Sequence, residues 1–152
     1  MLAICYRYTG DMDAAHDVLH DAFIKAMTHF NFRGECALQT WLSRVVTTTA
    51  IDYLRQQKRR ADWVDVGETM PDLPDEDTLD ESDWLIPSDV LMELVAHLPI
   101  GCRTVLNLFV LEGKSHREIA QLLGIKEHSS TSQLTRAKAL LKRKIKQWQK
   151  QQ

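Results

Sequence analysis

The chain has few of the residues that break, stiffen or cross-link a polypeptide. Its 152 residues include 3 cysteines, 4 prolines and 6 glycines. The thiols Cys5, Cys36 and Cys102 are widely separated and form no C-x-x-C pair, which argues against a disulfide framework and favours a reducing cytoplasm. No apolar run approaches the length of a membrane span, so direct membrane insertion is not expected. No glycine-rich phosphate loop or nucleophile elbow appears, and no cofactor is predicted.

Long stretches of the chain also lack charge of one sign. Residues 1–61 carry 8 Lys/Arg and 6 Asp/Glu, residues 62–93 carry 12 acids and no base, and residues 94–152 carry 11 bases and 3 acids. The formal net charge of −2 therefore hides an acidic middle segment and a basic end. The acidic segment contains Pro71, Pro74 and Pro87 without a sustained apolar period, which is typical of a linker. The sequence predicts two small domains, 1–61 and 94–152, joined by an acidic linker, 62–93.

Apolar residues recur at helical spacing on both sides of this linker. No strand-type alternation appears, so the predicted fold class is all-α, with two small helical domains. In the first domain, Asp11 or Asp13 is expected to cap a helix from about Met12 to Phe30. Gly34 separates it from a long second helix, from about Ala37 to Arg60.

Residues 115–138 read SHREIAQLLGIKEHSSTSQLTRAK, which predicts a helix, a glycine turn and a second helix. Ser115 and Glu118 form a capping box, and Gly124 stands where a helix commonly ends in a left-handed residue. Such helix pairs are common in all-helical proteins, and a Ser/Thr-rich helix start can serve capping alone. The basic character of this end, with no acid after Glu127, favours nucleic acid over a merely solvated face. Side chains of the types that bond base edges follow the turn: His128, Ser129, Ser130, Thr131, Ser132, Gln133, Thr135 and Arg136.

One pattern in the first domain suggests a metal. His16 and His20 have the i, i+4 spacing of a helical zinc pair, with Asp17 where a metalloprotease has glutamate. The shorter acid reaches less far, and no third ligand is convincingly spaced. Histidines that face solvent or a partner are favoured, and no metal site is predicted.

Two separate sets of motifs resemble one known family. The run FNFRGECALQTWLSRVVTTTAIDYLRQQKRR, residues 30–60, resembles region 2 of bacterial sigma factors, and most closely the two-domain extracytoplasmic-function (ECF) group of the sigma-70 family. Before it, the run DVLHDAF, residues 17–23, looks like the polymerase-clamp helix of that family. After the linker, residues 98–145 resemble region 4, including the run LEGKSHREIA and the run LTRAK. Both sets stand in the family's order and at its separation.

The resemblance implies a non-enzymatic subunit that joins core RNA polymerase, recognises the −10 and −35 promoter elements and initiates transcription. Its first domain would contact the β′ clamp helices through Asp17, His20, Asp21 and Phe23. The loop after Phe32 would receive an unstacked −10 base, and nearby cations would hold phosphate. The implied −10 residues are Arg33, Gly34, Glu35, Cys36, Thr48, Arg55 and Arg59. Trp41 is expected in the core rather than as a stacking platform, because its spacing matches the core positions of its helix.

In the second domain, the matching −35 positions are His128, Ser129, Thr131, Ser132, Gln133, Thr135, Arg136 and Lys138, and the β flap is the implied polymerase contact. Thr131 and Gln133 stand where the family often has arginine, which argues against heavy guanine reading, and Gln133 suits adenine. Ser130 replaces a residue that is usually apolar. An anti-sigma protein is an implied partner. The acidic linker would either imitate a phosphate chain in the polymerase cleft or serve as an extended spacer. The alternative function is a free-standing helix-turn-helix regulator that does not act through polymerase.

Overall fold

The structure, a computed structural model, describes residues 1–60 and 85–152, and for residues 58–60 the backbone only. The described residues are helical, with no strand among them, as the sequence predicts. They divide into two compact units, one on each side of residues 61–84. No helix in the two described ranges combines the length and the apolar character needed to cross a bilayer.

The first unit contains three helices: α1 (Leu2–Thr9), α2 (Met12–Thr28) and α3 (Leu38–Arg60). The break after α1 is fixed by Gly10 in the left-handed conformation (φ +68°), and Asp11 then caps α2 by accepting a 2.8 Å bond from the amide of Ala14. Each helix packs on the other two. Their shared core consists of Cys5, Tyr8, Ala15, Val18, Ala22, Ala26, Val46, Ala50, Ile51 and Leu54.

The second unit is built around a short, buried central helix. It comprises α4 (Ser88–Ala96), α5 (Ile100–Leu106), a π-helical turn (Asn107–Leu111), α6 (His116–Leu123) and α7 (Glu127–Lys150). Helices α4, α5 and α6 all pack on α7. Arg103 of α5 is only 5% exposed because its guanidinium turns back and donates to the carbonyl oxygen of Ala96, at 2.8 Å. This bond satisfies a carbonyl at the end of α4, where no helical partner is available.

The first described helix of the second unit begins within the range predicted as linker. Helix α4 begins at Ser88, inside the range 62–93 that the charge count assigns to the linker. Pro87 precedes the helix, and Val90, Leu91, Leu94 and Val95 give it an apolar side, whereas Asp89 and Glu93 are exposed. Counting charge alone therefore extended the predicted linker into a helix whose acids lie on its outer side. The rest of the predicted linker, up to residue 84, lies outside the described residues.

Candidate nucleic-acid and polymerase interfaces

Helices α6 and α7 form the helix-turn-helix that the sequence predicts. Ser115 accepts a 3.2 Å bond from the amide of Glu118, and its own amide donates to the Glu118 carboxylate at 2.7 Å. That second bond, from the Ser115 backbone, is the main reason why the pKa of Glu118 is lowered from its usual value. Gly124 ends α6 with φ +65°, a backbone conformation that glycine adopts without strain. The capping box and the glycine turn together fix where α7 begins relative to α6.

A polar contact seats α7 on α6. Ser130 is fully buried, and its hydroxyl lies 2.9 Å from Nδ1 of His116, the first residue of α6. The imidazole ring stacks on Phe109 of the π-helical turn, with ring centroids 4.7 Å apart and 21° between the planes. A hydrogen bond therefore joins α7 to α6 at the position where the sequence resemblance leads us to expect an apolar contact.

The outer side of α7 carries short polar groups over its first turns. His128, Thr131, Thr135 and Lys138 are exposed, and Ser129, Ser132 and Arg136 are half-buried. The two threonine hydroxyls bond to carbonyl oxygens of their own helix, Thr131 to Glu127 at 3.2 Å and Thr135 to Thr131 at 3.1 Å. Seven of the eight predicted −35 residues are therefore at least partly accessible.

Gln133 is the exception. Its side chain is 3% exposed and packs towards α5, where a Cβ on Gly101 would lie 3.1 Å from its Oε1. The expected role of Gln133 in reading adenine is therefore corrected: its helical position turns it into the core, and the absent side chain of Gly101 makes room for the amide. In the structure, Gln133 lies on the buried side of α7, between buried Ser130 and buried Leu134.

The later turns of α7 are basic. Lys138, Lys142, Arg143, Lys144, Lys146 and Lys150 follow the polar turns, and no acid occurs after Glu127. Arg136 lies close enough to α5 to act electrostatically on the thiol of Cys102. Burial raises the pKa of this thiol, and the positive charge of Arg136 opposes the rise. Along α7 the accessible side chains thus change from mainly short polar groups to mainly lysine and arginine.

In the first unit, the loop between α2 and α3 presents the predicted −10 residues. Arg33, Gly34 and Glu35 are exposed, and Cys36 is half-buried. Gly34 has φ +74°, and a Cβ there would meet nothing within 4 Å, so the backbone conformation alone favours glycine.

Three aromatic rings lie beside this loop. Phe30, Phe32 and Trp41 are in mutual contact, with ring centroids 5.4 to 6.2 Å apart. The prediction that Trp41 is a core residue is wrong: it is half-buried, and it contacts Phe30, which is 63% exposed. Helix α2 ends at Thr28, so Phe30 leaves the helical face that spacing assigned to it and joins the loop.

The remaining predicted −10 residues lie along α3. Thr48 is exposed, with its hydroxyl bonded to the carbonyl of Arg44 at 2.8 Å. Arg55 lies 3.6 Å from the carboxylate of Asp52, which is also 3.6 Å from Nζ of Lys25 on α2. Arg59 belongs to α3, but its side chain lies outside the described residues, together with those of Lys58 and Arg60.

Helix α2 buries its small residues and exposes its large apolar ones. Its buried positions are Ala15, Val18, Ala22 and Ala26, whereas Phe23, Ile24 and Met27 are 43%, 48% and 81% exposed. Contiguous exposed apolar side chains of this size usually mark an interaction surface. The predicted polymerase contacts Asp17, His20, Asp21 and Phe23 are all exposed. We call Phe23, Ile24 and Met27 the apolar patch of α2.

Comparisons with known proteins agree with this architecture. The family model for Sigma-70 region 2 matches residues 1–60, and that for Sigma-70, region 4 matches residues 88–141. The chain is 31% identical to the ECF RNA polymerase sigma-E factor of Haemophilus influenzae, with 91% of this chain and 78% of that protein covered. It is 30% identical to the factor of the same name from Escherichia coli K12, with 91% and 77% covered. This chain is a member of the ECF sigma factors.

A solved structure shows the same fold. The sigma factor RpoE from Bartonella quintana, in complex with the anti-sigma factor NepR, aligns with a TM-score of 0.52 at 20% identity, covering 95% of this chain and 89% of that one. The region 4 match begins at residue 88, the first residue of α4, which agrees with the helix start in the structure rather than with the predicted boundary at 94.

Within this ECF sigma factor, sequence reasoning missed two features of the interfaces. Ile24 and Met27 extend the apolar patch beyond Phe23, and they were not predicted as contact residues. The i, i+4 spacing of Phe23 and Met27, on a helix whose other apolar residues are mostly alanines, is the signal that could have found them. The sequence predicts that Phe30 ends a helix and that Phe32 lies in the loop after it. Only the fold shows that both rings contact Trp41.

Proposed function

We propose that the two units of this sigma factor contact two promoter elements while α2 is docked on core polymerase. The observation that best supports this is α7, where accessible groups suited to base edges are followed by six Lys and Arg residues with no acid among them. Hydrogen-bonding side chains give sequence recognition, and cations on the same side give phosphate affinity. RNA polymerase acts in the cytoplasm, and we place this chain there.

The −35 element is assigned to the first turns of α7. His128, Ser129, Thr131, Ser132 and Thr135 face the base edges, and Arg136 and Lys138 face the phosphates. Gln133 is left out, because its burial supports a packing role. The exposed apolar residues Val110 and Leu111 of the π-helical turn are candidates for the β flap contact, because they lie in the same unit at 57% and 53% exposure.

The −10 element is assigned to the loop after Phe32 and to the outer side of α3. Flipping a base out of a duplex costs a few kcal/mol. The aromatic cluster of Phe30, Phe32 and Trp41 offers π faces on which an unstacked base could rest, each such contact being worth roughly 1–3 kcal/mol. The accompanying polar and charged contacts are Arg33, Gly34, Glu35, Cys36, Thr48, Arg55 and Arg59.

The polymerase contact is assigned to α2. The acids Asp17 and Asp21 and the histidine His20 are exposed beside the apolar patch on the same helix, and apolar residues flanked by polar ones are common at protein interfaces. The β′ clamp helices are the proposed partner. An anti-sigma protein is a second proposed partner, because the Bartonella quintana sigma factor is described in complex with one.

Run-off transcription with reconstituted core polymerase and a promoter library tests the proposal. We expect a transcript that requires both this chain and a conserved pair of elements, and we expect Phe23→Ala with Met27→Ala to abolish core binding while helix content is retained. Ile4→Ala, a change at a half-buried position on α1, is the control for a general loss of stability. A chain that binds duplex DNA tightly alone and ignores polymerase would instead be a free-standing regulator, and the proposal would be wrong.

A further inference from the structure

The base-reading part of α7 lacks the side chains that most often read guanine. From Glu127 to Thr135 the helix contains no arginine and no lysine. Bidentate arginine or lysine is the commonest reader of guanine, and asparagine or glutamine is the usual reader of adenine. Gln133 is the only such amide in this segment, and it is buried against Gly101. Recognition here must therefore rely on shorter groups.

The hydroxyls of the two exposed threonines are engaged within their own helix. Each hydroxyl donates its proton to a carbonyl oxygen one turn earlier, at 3.2 Å for Thr131 and 3.1 Å for Thr135. A hydroxyl has one proton, so neither threonine can donate to a base while this bond is made. The remaining branch of each exposed side chain is its methyl. Threonine methyls make apolar contacts with the 5-methyl group of thymine in the major groove.

The spacing of the threonines suits two bases. Residues four apart lie on the same side of a helix, about 6 Å apart along its axis at roughly 1.5 Å per residue. Bases on one DNA strand are about 3.4 Å apart, so the two methyls span roughly two base steps. Lys138, three residues after Thr135 and exposed on the same side, is placed for a phosphate.

We propose that Thr131 and Thr135 read the 5-methyl groups of two thymines in the −35 element. The inference rests on the proposed function, and it deepens that function by naming the base class which the upstream element must contain. Half-buried Ser132 and exposed His128 supply hydrogen bonds beside these contacts, so the preferred element is rich in A·T pairs at the positions facing the threonines.

The test uses reconstituted holoenzyme and a −35 element selected from a randomised library. Each thymine of the selected element is then replaced by deoxyuridine, which removes only the 5-methyl group. We expect promoter binding by the wild-type holoenzyme to weaken about three- to fivefold at two of these positions, the loss expected for one buried methyl-sized group.

Substitutions in the protein should match these losses. Thr131→Ser and Thr135→Ser keep the hydroxyl and remove the methyl, so each should weaken binding to the thymine promoter by the same factor. Each should also become indifferent to deoxyuridine at one position. Thr131→Val and Thr135→Val keep a methyl and should retain the discrimination. Thr28→Ser is the matched control, since Thr28 is an exposed threonine of α2 whose hydroxyl bonds to the carbonyl of Ile24 at 2.7 Å.

Two results would overturn the inference while leaving the proposed function intact. One is a −35-dependent holoenzyme that binds thymine and deoxyuridine promoters equally at every position. The other is discrimination that survives in the serine variants and disappears in the valine variants, which would assign recognition to the hydroxyls. A library from which no upstream element is selected would refute the proposed function itself.

Discussion

At the scale of single residues, the absence of a side chain at Gly101 gives Gln133 of α7 room to be buried. Gly101→Ala places a Cβ 3.1–3.2 Å from three atoms of the Gln133 side chain, which is closer than an ordinary van der Waals contact. Replacing a helical glycine by alanine otherwise stabilises a helix by up to about 1 kcal/mol. When Gly101→Ala is made in the otherwise wild-type chain, the steric clash with Gln133 and the gain in helix stability therefore oppose each other.

We therefore expect Gly101→Ala to be more favourable in a Gln133→Ala background than in the wild type, by about 1 kcal/mol. Denaturant unfolding of the four chains of this double-mutant cycle measures the difference. Additive effects would contradict the inward position of Gln133.

Glu118 provides a pH-dependent contribution at the start of the helix-turn-helix. Its pKa in the folded chain is lowered from 4.5, mainly because the Ser115 amide donates to the carboxylate. A lowered folded pKa means that the ionised form is stabilised, so this contribution is present above about pH 4.5 and is lost as the pH falls through the lower folded value.

Glu118→Gln removes the titrating group but leaves an oxygen that can accept the same bond. We expect the stability difference between wild type and Glu118→Gln to shrink as the pH is lowered from 6 towards 3, in roughly the window that the lowered pKa defines. Unfolding in denaturant at a series of pH values measures this. Parallel pH profiles for the two chains would contradict it.

At the scale of elements, the seating of α7 depends on the bond between His116 and Ser130. Ser130→Ala would leave Nδ1 of His116 without this 2.9 Å partner, and an unsatisfied polar group of this kind costs about 1–3 kcal/mol. His116→Phe keeps a ring that can stack on Phe109 and removes the nitrogen. We expect the double variant to be less destabilised than the sum of the single variants, with a coupling of about 1 kcal/mol.

Amide hydrogen exchange in α6 and α7 measures this coupling within the second unit. If the bond also sets the angle of α7, Ser130→Ala and His116→Phe should each change the preferred −35 element. The double variant His116→Phe with Ser130→Val replaces the bond by an apolar contact and should again select a single preferred element. Exchange rates in α7 that do not change in Ser130→Ala would show that the hydroxyl carries no seating role.

The elements that carry the interfaces could be predicted because their ends have local signals. Asp11 starts α2, Ser115 with Glu118 starts α6 and Gly124 ends it, and all three signals act within a few residues. The start of α4 was missed because its acids resemble those of the linker. The π-helical turn and the bond from Arg103 to Ala96 were not predictable, because both depend on how α4, α5 and α7 pack together.

The sequence predicts which positions of the chain belong to the site, but it predicts less well which of their side chains are accessible. The resemblance to the ECF sigma factors placed Thr131 and Gln133 at equivalent reading positions, but a family motif does not state which of them this chain buries. Gln133 turns inwards because Gly101 leaves space for it on a helix about thirty residues earlier. Trp41 joins Phe30 and Phe32 for the same kind of reason, since α2 ends two residues before Phe30.

At the scale of the whole molecule, the net charge of −2 conceals a basic end, residues 94–152, whose cations are the proposed phosphate contacts. Each phosphate neutralised by a protein cation lowers the slope of log affinity against log salt by about 0.9. Lys138 is exposed on the same side of α7 as Thr131 and Thr135, so it is placed to neutralise one phosphate beside the bases that these residues contact.

We expect Lys138→Gln to make the salt dependence of promoter binding by the holoenzyme shallower by about one unit, with no change in the preferred −35 bases. Binding at a series of KCl concentrations measures the slope, and a promoter library measures the preference. Lys25→Gln removes an equal charge from the first unit, where Lys25 pairs with Asp52 at 3.6 Å, and should leave the slope unchanged.

If Lys138→Gln and the wild type have the same salt slope, this lysine does not contact phosphate. If Lys25→Gln reduces the slope as much as Lys138→Gln does, the slope reports the total charge of the chain and not a local contact. A smaller slope in Lys138→Gln alone would place the DNA backbone along the basic turns of α7, because only a local contact releases counterions in this way.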